Sequence, residues 1–161
     1  MTDKQYNLCV DNFSDNILRF LVKNLKDRQE AEDILQDVFL KLWEKHKEVD
    51  NDKVKAYLFK AAYNTMINTI NHNKLIDNIE IKDTVTINAQ NAHSDIRDIL
   101  SDALNLLSSL QKASLLLRDY EGYSYNEIGQ ILNITEENVK INIFRARQKM
   151  KKYIGSIDNI I

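Results

Sequence analysis

The chain has no proline and only three glycines in 161 residues. Pro-rich linkers and the glycine-rich loops that cradle phosphates are thereby excluded. With so few helix breakers, long helices and an all-α fold are expected. A single cysteine, Cys9, cannot form an intrachain disulfide, and a small buried hydrophobe is its expected role. His46, His72 and His93 are scattered without ligand spacing, so no metal or cofactor is expected. No apolar run approaches the roughly 18 residues of a membrane span, and the N-terminal MTDKQYNLCVDN has no apolar signal core. A cytoplasmic protein with no membrane insertion is expected. Carboxylates are plentiful but unclustered and no nucleophile–base pairing stands out, so an enzyme finds no support.

What is present centres on Tyr123 to Lys152. Ser124-x-x-Glu127 has capping-box spacing, and Ile128, Ile131 and Leu132 share one helical face. Gly129 between them lets a neighbouring helix approach closely. Asn133 tolerates the left-handed backbone with which a helix stops, Thr135 is an N-cap, and Glu136 and Glu137 favour the next first turn. That second helix buries Val139, Ile143, Ala146 and Met150 at helical spacing. From Lys140 to Lys152 it carries six cations and no acid. A short helix, a tight turn and a cationic helix form the helix-turn-helix pattern, whose second helix fits the DNA major groove, about 12 Å wide. A net charge of −2 keeps tight nonspecific DNA binding by the free chain from being expected.

Upstream, Tyr6 to Leu25 reads as one helix, and Asp27-x-x-Glu30 restarts the chain with an Asp cap. In the helix over Ala31–Lys45, Ala31, Ile34, Leu35, Val38, Phe39 and Leu42 make a wide apolar stripe that Trp43 extends. Asp33, Gln36, Asp37 and Leu40 form a second stripe at i, i+3, i+4 and i+7. It reads either as a solvated face or as a docking face with one apolar anchor for a cationic helix. His46 to Asp52 is a polar loop. Helix returns over Val54–Asn73, rich in Asn, with Tyr57, Leu58, Ala61 and Ala62 as its seam and Phe59 and Tyr63 to one side. Its amides and aromatics suit exposed bases, although compositional drift explains them equally well. From Lys74 the helical period is lost, so residues 75–93 read as an extended, mildly acidic linker between units at 1–74 and 94–161.

Two stretches resemble one known family. Leu116-Leu117-Arg118-Asp119-Tyr120-Glu121-Gly122-Tyr123-Ser124-Tyr125, with Glu127-Ile128, is similar to the entry to region 4 of extracytoplasmic-function sigma factors. Val139-Lys140 and Phe144-Arg145-Ala146-Arg147 resemble its recognition helix. Ala31-Glu32-Asp33-Ile34-Leu35-Gln36-Asp37-Val38-Phe39-Leu40-Lys41-Leu42-Trp43 resembles region 2, and Ala56-Tyr57-Leu58-Phe59-Lys60, with Ala62 and Asn64, resembles the segment after it. The resemblance implies a region 2-like bundle of three or four helices and a region 4-like helix-turn-helix domain joined by the linker. It implies that Asp33, Gln36, Asp37 and Leu40 dock on bacterial core RNA polymerase. Loop 46–52 with Lys60, Tyr63, Asn64 and Asn68 would then capture unpaired bases of the promoter −10 element. Asn138, Lys140, Ile141, Asn142 and Arg145 would read the −35 duplex, with Arg147 and Lys149 on phosphates. An anti-sigma factor is an implied partner.

The chain departs from the family in three places, one being the segment after Asn64, which has only Lys74 where the family is often basic. Ser108 stands where proline often follows the leucine, and Ile141-Asn142 stands where a serine–arginine pair is common. Asparagine pairs with adenine and isoleucine meets a thymine methyl, so an A/T-leaning contact is expected there. A free-standing helix-turn-helix transcriptional regulator is the alternative reading. Such a regulator has no need of a polymerase-docking ridge.

Overall fold

The computed structural model describes residues 1–79 and 96–158, which form seven α-helices and one short 3-10 turn. The first three helices are α1 (Asp3–Leu25), α2 (Arg28–Lys45) and α3 (Val54–Ile79), with the 3-10 turn at Asn51–Lys53 before α3. The rest are α4 (Ile96–Asn105), α5 (Ser109–Asp119), α6 (Tyr125–Leu132) and α7 (Glu136–Asp158).

Polar side chains set the helix ends. Thr2 caps α1 and closes a reciprocal box with Gln5, which starts the helix ahead of the expected Tyr6. Lys26 stops α1 in left-handed backbone at φ 61°, its N–H bonded to Val22 O at 2.8 Å. Asp27 then caps α2 through the N–H groups of Gln29 and Glu30. Ser108, at the position where proline was noted as common, caps α5 in a box with Gln111.

Helices α1, α2 and α3 pack together around Ile17, Phe20, Leu21, Val38, Leu42 and Leu58, all essentially without exposure. Cys9 is buried among them, as expected. One boundary is corrected: α3 continues to Ile79, so residues 75–79 are helical rather than linker. Asn and Asp lower helix propensity only modestly, and no Gly or Pro is present to stop the helix. The remainder of the expected linker, from residue 80, falls outside the described residues.

In the second half α5 is central, with every residue from Gln111 to Leu117 buried. It packs on α6 and α7 and, across the molecule, on α1. Helix α6 lies in turn against α3. The two halves therefore meet along α1 and α3 on one side and α5 and α6 on the other. Phe59 sits at the centre of the junction, edge-on to Phe20 of its own half at 5.6 Å and to Tyr123 of the other at 5.5 Å. Arg19 Nη2 meets Glu121 Oε1 at 2.6 Å, and Lys112 Nζ donates to Asn24 O at 3.3 Å.

Because the Phe59 ring is wholly buried between both halves, Phe59→Ala should cost about 3–5 kcal/mol. Trp43 fluorescence, which reports the first half, and far-UV helicity, which reports both, should lose stability together in thermal melts. An unchanged midpoint by either probe contradicts this packing.

Candidate nucleic-acid interface

The helix-turn-helix is built as its spacing predicts. Ser124 Oγ accepts from the Glu127 N–H at 3.1 Å, while Glu127 Oε1 accepts from the Ser124 N–H at 3.0 Å. Asn133 ends α6 at φ 58°, and Thr135 Oγ1 accepts from the Asn138 N–H at 3.1 Å at the start of α7. Gly129 is required by the turn itself rather than by a neighbouring helix. A Cβ there would lie 2.7 Å from Ile134 O, closer than any real side chain can sit.

Helix α7 buries Val139, Ile143 and Ala146 and presents Asn138, Ile141 and Arg145 to solvent. Asn142 stands at the flank, half-buried, its Nδ2 donating to Asn138 O at 2.8 Å. Lys140 is exposed but leans over the Tyr125 ring of α6, 5.7 Å from its centre. Arg147 and Lys149 are exposed, and each has a partner within the chain. Arg147 Nη2 donates to Asp119 Oδ1 at 2.8 Å and Lys149 Nζ donates to Gln111 Oε1 at 3.0 Å, so both reach back to α5 and its capping residue. Phe144 of the recognition-helix motif is 62% exposed beside Arg145, a position that its spacing alone does not indicate.

On α3, Lys60, Asn64 and Asn68 lie on one exposed face at four-residue intervals. Tyr63 is corrected: it is 9% exposed and packed into the core, and burial raises its phenol pKa. The half-buried Tyr57 instead shares the face of Lys60 and Asn64, three residues ahead of Lys60. Asn73, one of the Asn-rich set, donates to Glu30 Oε1 at 2.9 Å and serves to fasten α3 to α2. The loop after α2 is anchored at its first residue. Buried His46 has Nδ1 at 2.6 Å from Trp43 O and Nε2 at 2.7 Å from Asp3 Oδ1. The rest of the loop is largely open to solvent.

On α2, Asp33, Gln36 and Leu40 are exposed and Asp37 half-exposed, in one continuous ridge. Asp33 accepts from Gln29 Nε2 at 3.2 Å, and Asp37 pairs with Lys41 at 3.1 Å. Trp43 continues the ridge instead of the core stripe to which its spacing assigned it. It is 43% exposed and stacks on His46 at 4.4 Å. Leu40 and Trp43 therefore stand side by side as exposed apolar groups at the acidic ridge. Among the described residues, no three His, Cys, Asp or Glu side chains come together to hold a metal, and no helix is long and apolar enough to cross a membrane.

Two family models match the chain: sigma-70 region 2 over residues 9–75, and sigma-70 region 4 over residues 97–150. The extracytoplasmic-function RNA polymerase sigma factor SigM of Bacillus subtilis is 31% identical over 145 residues, covering 86% of this chain and 88% of that one. The chain belongs to the extracytoplasmic-function group of sigma-70 family RNA polymerase sigma factors. SigX of the same organism is 23% identical, over 94% of this chain and 84% of its own. Among solved structures, the sigma factor RpoE of Bartonella quintana, in complex with the anti-sigma factor NepR, superposes with TM-score 0.77 at 23% identity, covering 94% and 98% of the two chains. CnrH, solved with the cytosolic domain of CnrY, gives 0.71 at 17% identity, covering 96% and 90%. As a sigma factor the chain binds core RNA polymerase and directs promoter recognition, and it is not an enzyme.

The bonds from Ser124, from its backbone N–H first and its hydroxyl second, lower the Glu127 carboxyl pKa, with Lys55 assisting against partial burial. A carboxylate depressed in the folded state adds stability above its unfolded pKa and loses it as pH falls through the folded value. Glu127→Gln should therefore be less stable than wild type at pH 7, and the difference should close on acidification below the ordinary carboxylate range. Thermal midpoints across pH check this, and a gap independent of pH contradicts it.

Proposed function

We propose that three exposed faces divide the work of initiation. The α2 ridge of Asp33, Gln36, Asp37 and Leu40, extended by Trp43, docks on core RNA polymerase. The α3 face of Lys60, Asn64 and Asn68, bordered by Tyr57 and loop 46–52, meets unpaired bases of the −10 element. Helix α7 reads the −35 duplex through Asn138, Lys140, Ile141, Asn142 and Arg145. Arg147 and Lys149 approach phosphates after leaving their partners on α5.

The observation that carries this reading is that an acidic ridge with outward Leu40 and Trp43 shares a chain with an intact helix-turn-helix. An apolar anchor set in a polar rim is the anatomy of a protein interface, and a DNA-binding module alone has no use for one. Amides along α3 suit bases whose edges have been freed from pairing, and stacking on an aromatic ring is tolerant of sequence. The superposition on a sigma factor solved in complex with an anti-sigma factor supports an anti-sigma partner here as well. A cytoplasmic location accompanies this reading.

Core polymerase should co-elute with wild type and bind Asp33→Ala/Gln36→Ala/Asp37→Ala about tenfold or more weakly, since truncating three contact residues removes at least ~1.4 kcal/mol. Unchanged binding refutes the docking face. A well-folded wild type that ignores core polymerase but binds duplex DNA specifically is a free-standing regulator. At the −35 contact, Asn142 must release Asn138 O to pair with a base, and its amide then matches adenine, with Ile141 against a thymine methyl. Binding selection with the polymerase complex should return A or T there, and strict guanine refutes the assignment.

A further inference from the structure

Outside these faces, positive charge is concentrated where the two halves meet. Helix α1 ends in Lys23 and Lys26, and α5 brings Lys112 to the same place from the other half. Lys112 is 8% exposed, and its Nζ makes one hydrogen bond, at 3.3 Å to Asn24 O. The neighbouring charge that acts on it is another cation, Lys26. Together with burial, which is the larger cause, Lys26 lowers the Lys112 pKa. Glu121, the junction's nearby acid, is already taken by Arg19 at 2.6 Å. Asn24 Oδ1 is buried at the same point with no partner. A buried ammonium without a counter-charge among the described residues, facing a second ammonium, is costly, and a removed or added charge changes such a site strongly.

A cleft of about 410 Å3 opens at Lys23 and Lys26; Lys112 is not part of its wall. Lys23, Lys26, Arg97 and Ser101 supply its polar wall, and Leu100 and Tyr120 are among the residues of its apolar wall. Tyr120 is 48% exposed, with Lys23 Nζ 4.5 Å from its ring centre on one face. The volume suits a small ligand rather than a peptide helix. Several lysine point charges match a group that carries several negative charges on one chain, as polyphosphates do, better than a single carboxylate. The half-exposed ring beside them offers a surface for a flat base.

We infer that this cleft binds a nucleotide-sized, phosphate-bearing anion, its phosphates at Lys23 and Lys26 and its base against Tyr120 and Leu100. The bound anion supplies negative charge beside Lys26, the cation that acts on buried Lys112. It bridges the end of α1 to α4 and α5, so it holds the two halves closed against each other. The cleft shares no lining residue with the α2, α3 and α7 faces, and its test needs only the isolated chain.

Calorimetric titration at fixed ionic strength, with inorganic phosphate, pyrophosphate and ATP as probes, should show saturable one-to-one binding in wild type. ATP should bind tightest and inorganic phosphate weakest. Lys26→Asn removes the charge while keeping a residue that tolerates the left-handed backbone, and it should weaken ATP binding at least tenfold. Lys4→Gln, on the far end of α1, should leave binding unchanged. Lys112→Met should raise the thermal midpoint in anion-free buffer, because the uncompensated charge is gone, and should reduce the rise that ATP gives wild type. No saturable binding of any probe overturns the inference, as does equal affinity in Lys26→Asn and wild type. Binding of single-stranded DNA with none of ATP overturns it in favour of a nucleic-acid contact. ATP no tighter than pyrophosphate overturns the role given to Tyr120.

Discussion

A helix buried on every side has no solvent to satisfy its polar groups, and the whole molecule is arranged around one such helix, α5. Its Gln111 returns to the backbone N–H of Ser108 and also accepts from Lys149 of α7. Lys112 finds a carbonyl at the end of α1, while Ser114 Oγ finds nothing among the described residues. Where α5 ends, Tyr120 meets Lys23, Glu121 clamps Arg19, and Gly122 at φ 74° turns the chain so that Tyr123 lands on Phe59. The helix-turn-helix starts immediately afterwards. The position of the reading helix is thus set by the same residues that join the halves, and neither can shift without the other.

That junction is well packed but poorly satisfied. The Tyr123 hydroxyl and Asn24 Oδ1 are buried without partners, and burial first, then Glu121 and Glu127, raises the Tyr123 pKa strongly. Buried polar groups left unpaired cost about 1–3 kcal/mol each. They subtract from what the aromatic cluster contributes, so the halves are held less firmly than the cores within each half. The helix-turn-helix has the opposite character. The Gly129 contact and the caps at Ser124 and Thr135 close it by backbone geometry, so the side chains of α7 arrive as one rigid set.

The parts of this structure legible in the sequence are those governed by contacts three or four residues apart. Ser124 and Glu127, Asn133, Thr135 and the ridge from Asp33 to Leu40 needed nothing beyond helical spacing and capping chemistry. What escaped was set by long-range packing. Tyr63 reads as lateral on α3, but that helix is covered by α1 and α2 on one side and α6 on another, so more of its surface is buried than its own period suggests. Trp43 continues an apolar stripe by spacing, yet the loop folds His46 back onto Asp3 and carries the indole outward. Arg147 and Lys149 look like free cations because Asp119 and Gln111 lie far away in the chain. Residues 75–79 look like linker because composition falters before helix formation does.

Those internal partners bear on how the chain meets DNA. Of the six cations between Lys140 and Lys152, Lys140, Arg147 and Lys149 are engaged within the protein, leaving Arg145, Lys151 and Lys152 without hydrogen bonds or ion pairs among the described residues. Electrostatic affinity for a duplex scales with the number of phosphates neutralised. A net charge of −2 supplies no wider field to add to it. On the roles proposed above, a domain that brings so little charge of its own would hold DNA through base edges and through the larger body that fixes it in place. The acidic, apolar-tipped ridge on α2 is the part of the chain suited to gripping that body. On the proposed roles, weak free binding and strong docking would be two sides of one charge distribution: exposed cations on α7 partly engaged within the chain, carboxylates turned outward on α2.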